Sequence, residues 1–312
     1  LSPLVYPSTK SAAITHNARV IDAIKEGDLV KIELGAHVDG FSAFVAHTIV
    51  VQSDAKAPIT GRKADVILAA YKAIQASLRL LKPGNFNNQV TDAIRRVCES
   101  YEVSPLEGVL SHDLKKHLID GNKVIINRET FDQKVDDQEF QVNDVFALEV
   151  YVSSGEGKTK EVIHFTNSVR TQNQRLQTIS RQNLQSQDKT EQTILQEVLG
   201  RYPSFCFSMN SFEDPNSARL GLKECLDHEL LVPYPVLVEK PGTVVAQFKI
   251  TVMITKGKTT ALTGLPIESS FQDRTRNQGR GTPQAHHSVD GQEGAKEIEE
   301  QAVEQKPEEK KE

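Results

Sequence analysis

The sequence predicts a mixed α/β (α+β) fold, on three observations: an apolar run that turns back on itself through Asp39-Gly40, two amphipathic helical patterns after it, and a second set of strand-like runs late in the chain. The 312 residues are 38% hydrophobic and 25% charged, enough apolar material for one large core or two modest ones. The longest apolar candidate, 244–254, is interrupted by Gln247 and Lys249 and falls short of the roughly 18 residues a membrane span needs, so no membrane insertion is expected. Three cysteines, Cys98, Cys206 and Cys225, are an odd number without zinc-knuckle spacing, and a reducing intracellular compartment is expected. The formal net charge of −5 supplies no global drive toward nucleic acid, so any such contact has to come from a local basic patch.

Residues 1–20 show no pattern, begin at Leu1 without a leader signal, and read as the partial N-terminal segment of an incomplete copy. The first strand is expected at 28–34, where Leu29, Val30, Ile32 and Leu34 lie between Gly27 and Gly35. A second, at 44–51, follows the turn at Val38-Asp39-Gly40, and a short Asp-Gly connection favours an antiparallel hairpin. A helix over 62–81 follows from Val66, Ile67, Ala70, Ile74, Leu78 and Leu81 at three- and four-residue spacing, stopped by Lys82-Pro83-Gly84. Another starts at Gln89 or Thr91 and runs to Tyr101, with Val90, Ala93, Ile94 and Val97 on one face. Strand character returns at 104–110 and again at 145–152, where one carboxylate, Glu149, sits in an apolar run. The polar stretch 167–188 is either an exposed helix or a flexible insertion, followed by helical signals at 190–199 and 216–227. Strands at 243–254 and 259–262 close the fold. The main domain is 21–268, with a variable polar and helical insertion at about 159–235 and a disordered polar tail at 269–312 that has too few apolar residues to offset ordering entropy.

The order of several short runs is specific: Lys31-Ile32-Glu33-Leu34-Gly35, His37-Val38-Asp39-Gly40, His112, Ala147-Leu148-Glu149 and Ala246-Gln247-Phe248. With them the chain resembles type 2 methionine aminopeptidases. It is more similar to their non-catalytic relatives, the proliferation-associated, ErbB-receptor-binding proteins, which share 26–31, 60–66 and 152–158. The resemblance covers about 20–265 and implies a pita-bread fold of two pseudo-symmetric halves, with much of the first half preceding Leu1.

The enzymes hold two metal ions on two Asp, one His and two Glu, so that a bridging water loses a proton near neutral pH. Carried over by the resemblance, the first Asp position is Glu33, longer by one methylene, and the second is Phe44, which cannot ligate. His112 and Glu149 match the metal histidine and the first glutamate, whereas the last glutamate position is Lys249. The second catalytic histidine corresponds to Asp120. An ammonium in place of a carboxylate turns attraction for a divalent ion into repulsion worth several kcal/mol even at an effective dielectric constant of about 20. No metal, no other cofactor and no catalytic residue is therefore expected, and the ammonium of Lys249 is placed between Glu33 and Glu149 in the metals' stead.

His37 and His47 read as packing or surface residues. Lys115, Lys116 and His117, with Lys123 and Arg128, form a basic cluster near the pocket mouth; a solvated loop is the plain reading and an RNA backbone contact the alternative. The alternating charges of 306–312 read as a solubilising tail, where the relatives carry a lysine-rich one. The resemblance implies binding to ribosomal RNA and the large ribosomal subunit, a role in ribosome biogenesis or translational control, and residence in nucleolus, nucleus and cytoplasm. The alternatives are a live metal-dependent aminopeptidase with an altered site, which Phe44 and Lys249 oppose, and a regulator that binds proteins in transcription or receptor signalling.

Overall fold

The computed structural model describes residues 2–7, 24–54, 56–162, 169–171, 189–202, 207, 212–228, 230–233, 236–267 and 271. All belong to the first of two compact units, Leu1–Asp273. Strand β1 (Ser2–Pro7) pairs antiparallel with β2 (Leu29–Val38), in a stretch where the sequence shows no pattern. Pro3 and Pro7 break the alternation that marks a strand, and they are tolerated because β1 lies at the sheet edge.

Strands β2 and β3 (Phe41–Val50) form the expected hairpin, but both reach the turn. Gly35 does not end β2; it pairs with Phe44 inside the ladder. Asp39 and Gly40 both have positive φ, 51° and 85°, which lets a two-residue turn carry pairing up to Val38 and Phe41.

Helices α1 (Gly61–Leu80) and α2 (Asn87–Ser100) cover one face of the sheet. Val66, Ile67 and Ile74 from α1 and Val90 and Ile94 from α2 pack with Leu148, Val150, Phe248 and Ile250 in one buried cluster. Helix α2 begins two residues before the apolar pattern does, because Gln89 Oε1 turns back to accept the Phe86 N–H at 2.9 Å and caps the first turn.

The strand expected at 104–110 is two pieces, β4 (Ser104–Pro105) and β5 (Leu110–Asp113), separated by a turn in which Gly108 has a φ of 79°. Strand β6 (Val124–Ile126) pairs with β5, and β5 with β7 (Val145–Ser153). The chain then leaves the sheet through β8 (Lys160–Val162) and β9 (Val169–Thr171). It passes through α3 (Lys189–Arg201) and α4 (Pro215–Asp227) and returns through β10 (Leu231–Pro233), paired with β9, and β11 (Val236–Val238), paired with β8. The two helices enclose a core of their own, with Leu195, Val198, Leu222 and Cys225 buried together. Of the polar stretch 167–188 only β9 is described, and the tail beyond 271 lies outside the described residues, as does Cys206.

Strand β12 (Val245–Ile254) pairs with β7 from Val245 to Met253, and β13 (Thr259–Ala261) folds back on it. Toward β3 its pairing shrinks to Lys249 with Ala46 and Ile250 with Val45. Threonine hydroxyls splice the ladder on either side. Thr48 Oγ1 donates to Gln247 O at 2.6 Å and accepts the Gln247 N–H at 2.8 Å, while Thr251 Oγ1 accepts the Phe44 N–H at 2.7 Å and donates to Phe44 O at 3.0 Å. These side chains satisfy backbone groups that the diverging strands would otherwise strand in the interior.

Candidate functional site

On the sheet face away from α1 and α2, the register brings four polar side chains together. Lys249 on β12 stands opposite Glu149 on β7 and opposite Ala46 on β3, and Ala46 in turn stands opposite Glu33 on β2. With only a methyl group at Ala46, the Lys249 side chain reaches across β3. Its Nζ lies 2.8 Å from Glu33 Oε1 and 3.1 Å from Glu149 Oε2. Gln247, two residues earlier on the same face, divides its amide between the same carboxylates, Nε2 donating to Glu33 Oε2 and to Glu149 Oε1 at 2.9 Å each. The Lys249 and Glu149 side chains are each 14% exposed and that of Glu33 7%, so water supplies little of their solvation.

Phe44 adds the last wall, its ring centroid 5.1 Å from Lys249 Nζ, a distance at which the ring face attracts a cation. His112 on β5 pairs with Ala147, two residues along β7 from Glu149, and its Nδ1 lies 3.4 Å from Gly121 O. Asp120 is half-buried in the loop between β5 and β6. Glu33, Phe44, Glu149 and Lys249 thus share one cluster, with His112 on the neighbouring strand.

Burial alone lowers the pKa of Lys249, but Glu149 and Glu33 outweigh it and raise it above the ordinary lysine value. Burial raises the pKa of Glu149; the Lys249 charge opposes that rise and the Glu33 charge reinforces it. The ammonium therefore persists at neutral pH, and acid titrates Glu149 above the usual carboxylate range. A divalent ion entering between the carboxylates meets a resident cation already in hydrogen-bond contact with both. Among the described residues no group of three or more His, Cys, Asp and Glu side chains is arranged to hold a metal ion.

The basic cluster divides. Lys123 is held by Asp144 at 2.7 Å and Arg128 approaches Glu107 at 3.7 Å while bonding Glu156 O. Lys115 lies 3.1 Å from Asp113 and Lys116 sits over the ring of Phe41, 5.7 Å from its centroid, both exposed beside the hairpin tip.

Two functional side chains have only a faint sequence signal. Gln247 is the shared donor to both carboxylates, foreshadowed only by being polar in an apolar strand two residues from Lys249. Lys31 is 1% exposed, and its Nζ has no hydrogen-bond partner among the described residues; burial lowers its pKa to about 8. Its signal is a lysine inside Leu29-Val30-Lys31-Ile32, in alternation with Glu33.

Comparison with known proteins extends this picture. Residues 3–174 match the model of metallopeptidase family M24. The chain is 43% identical over 231 residues to ERBB-3 binding protein 1 of Arabidopsis thaliana, covering 74% of this chain and 56% of that protein. It is 38% identical over 252 residues to the curved DNA-binding protein of Schizosaccharomyces pombe, covering 80% and 63%. It therefore spans less than two thirds of the length of either relative. Among solved structures, a thermophilic Arx1 superposes with a TM-score of 0.76 over 95% of this chain and 81% of that one, at 24% identity, a likeness of fold.

Proposed function

This chain belongs to metallopeptidase family M24, with its α+β pita-bread fold, and we propose that it is a non-catalytic member that binds RNA. The observation that carries the first half is the ammonium of Lys249, 2.8 Å from Glu33 and 3.1 Å from Glu149. In the enzymes that the chain resembles, the corresponding carboxylates hold two metal ions and a water made acidic by them. An ammonium offers no vacant coordination position and cannot activate water in that way. Phe44 at a ligand position presents only carbon, and Asp120 replaces a catalytic histidine. Lys249 stands in for the metals: it neutralises the inherited carboxylates and preserves the sheet without preserving the chemistry.

Support for a nucleic-acid partner comes from the name of one relative, and for RNA in particular from the family resemblance. One at 38% identity is named for binding curved DNA and another, at 43%, for binding ERBB-3. The resemblance to the proliferation-associated proteins points to ribosomal RNA on the large subunit, to ribosome biogenesis or translational control, and to nucleolus, nucleus and cytoplasm as its places. Co-sedimentation with purified large ribosomal subunits across a salt series tests the partner; an RNA contact weakens steeply as salt rises. Salt-independent pelleting, or none, counts against it. A methionyl-peptide cleavage assay with added manganese, cobalt or zinc tests the chemistry separately, with no turnover expected. Imaging of a fluorescent fusion checks the compartments.

A further inference from the structure

The tip of the β2–β3 hairpin and the loop after β5 form one composite surface. Val38 and Phe41 flank the turn and expose 75% and 63% of their area, although both are large and apolar. Lys116 lies over the Phe41 ring, and Lys115 is exposed beside it. Backbone holds the two elements in place: the His117 N–H donates to Gly40 O at 2.8 Å. Gly40 has to be glycine here, because a Cβ at that position would lie 2.4 Å from the His117 ring and the residue has a φ of 85°. An aromatic face and two amines are thereby fixed relative to one another by main chain before any partner arrives.

We infer that Phe41, Lys115 and Lys116 form a binding site for single-stranded RNA, an inference that rests on the RNA-binding reading above and localises it. An unpaired base stacks on an exposed aromatic face, and neighbouring amines reach the flanking phosphates. The scale of the patch favours this partner over a protein. Two apolar side chains separated by the charged turn residue Asp39 are far smaller than the roughly 800 Å² that a stable protein interface covers on each partner. They match one or two bases. Asp113 neutralises part of the Lys115 charge and Asp39 opposes a phosphate at the tip, so the aromatic face supplies much of the affinity.

The test is fluorescence anisotropy of a labelled oligouridine with the full chain, titrated at several salt concentrations. Phe41→Ala is expected to weaken binding about tenfold at a given salt and to leave the salt slope unchanged, because stacking releases no counterions. Phe41→Tyr keeps the ring and binds as the unmodified chain does. The paired change Lys115→Ala with Lys116→Ala lowers the slope by about 1.4, two phosphate contacts on a single strand at roughly 0.7 each. Asp39→Asn, which tolerates the positive φ of the turn, tightens binding several-fold. All four positions are exposed, and unchanged melting temperatures confirm that the variants fold. If the unmodified chain binds and none of these substitutions alters affinity or slope, the surface is overturned while RNA binding stands. If neither oligouridine nor ribosomal subunits bind, both readings fall together. A photo-crosslinker at Val38 that yields an adduct resistant to ribonuclease, with no RNA adduct, overturns the inference in favour of a protein partner.

Discussion

Two lysines are buried on the same face of one sheet, and they differ in company. Lys249 on β12 lies against Glu33, Glu149 and the Phe44 ring, whereas Lys31 on β2, two residues from Glu33, has no hydrogen-bond partner among the described residues. Burial disfavours both charges. At Lys249 two carboxylates reverse its effect and the pKa rises; at Lys31 no group among the described residues opposes it and the pKa falls to about 8. A buried charge is held by its partners and not by its depth. The carboxylates in this cluster are the ones that resemble metal ligands, so a lysine arriving among them finds its compensation already built.

The largest effect is expected at Lys249→Met, which leaves two carboxylates buried without a cation. Breaking a buried pair costs about 3–5 kcal/mol, read as a lowered midpoint in urea unfolding at neutral pH. The accompanying change of Glu33 and Glu149 to Gln should recover most of that loss. Lys31→Met should act in the opposite direction, because it removes a buried charge that no described residue compensates: a fall from 10.5 to about 8 corresponds to a gain of roughly 3 kcal/mol at most near pH 7. The sign follows from linkage. Between those two pH values the unfolded chain binds the proton more tightly, so the stability of the unmodified protein rises with pH there, and that of Lys31→Met stays flat.

Smaller effects separate the two carboxylates. Glu149, with its raised pKa, contributes stability that is present when protonated and lost as pH rises through the folded pKa. Glu149→Gln should therefore cost less than Glu33→Gln at neutral pH, by about 1 kcal/mol, and should abolish the gain on mild acidification seen by thermal melting. Phe44→Leu, which retains most of the bulk but not the ring face, should lose about 0.5–1 kcal/mol in the same measurement. A larger loss would mean that the ring matters for packing more than for the ammonium.

Elements with a repeating local signal were legible in the sequence. Helix α1 follows from its three- and four-residue spacing and its Pro83-Gly84 stop, and the hairpin from Asp39-Gly40. Within the site, Glu33, Glu149 and Lys249 stand out as charges in apolar strands, but their separation of up to 216 positions is bridged only by sheet register. In the sequence Gln247 marks a family run and gives no sign of being a donor, because that role depends on facing both carboxylates at once. The ribbons β8–β11 and β9–β10 are three residues per strand, too short to show a period. Lys123 and Arg128 read as part of one basic cluster because Asp144 and Glu107, which pair with them, are distant in sequence.

Whether the Lys249 ammonium occupies the place of the metals is decided by calorimetric titration of manganese into the purified chain at neutral pH. No saturable heat is expected, since the ion would have to displace Lys249 from Glu33 and Glu149 and would find carbon at Phe44. Stoichiometric binding with a micromolar dissociation constant would contradict it.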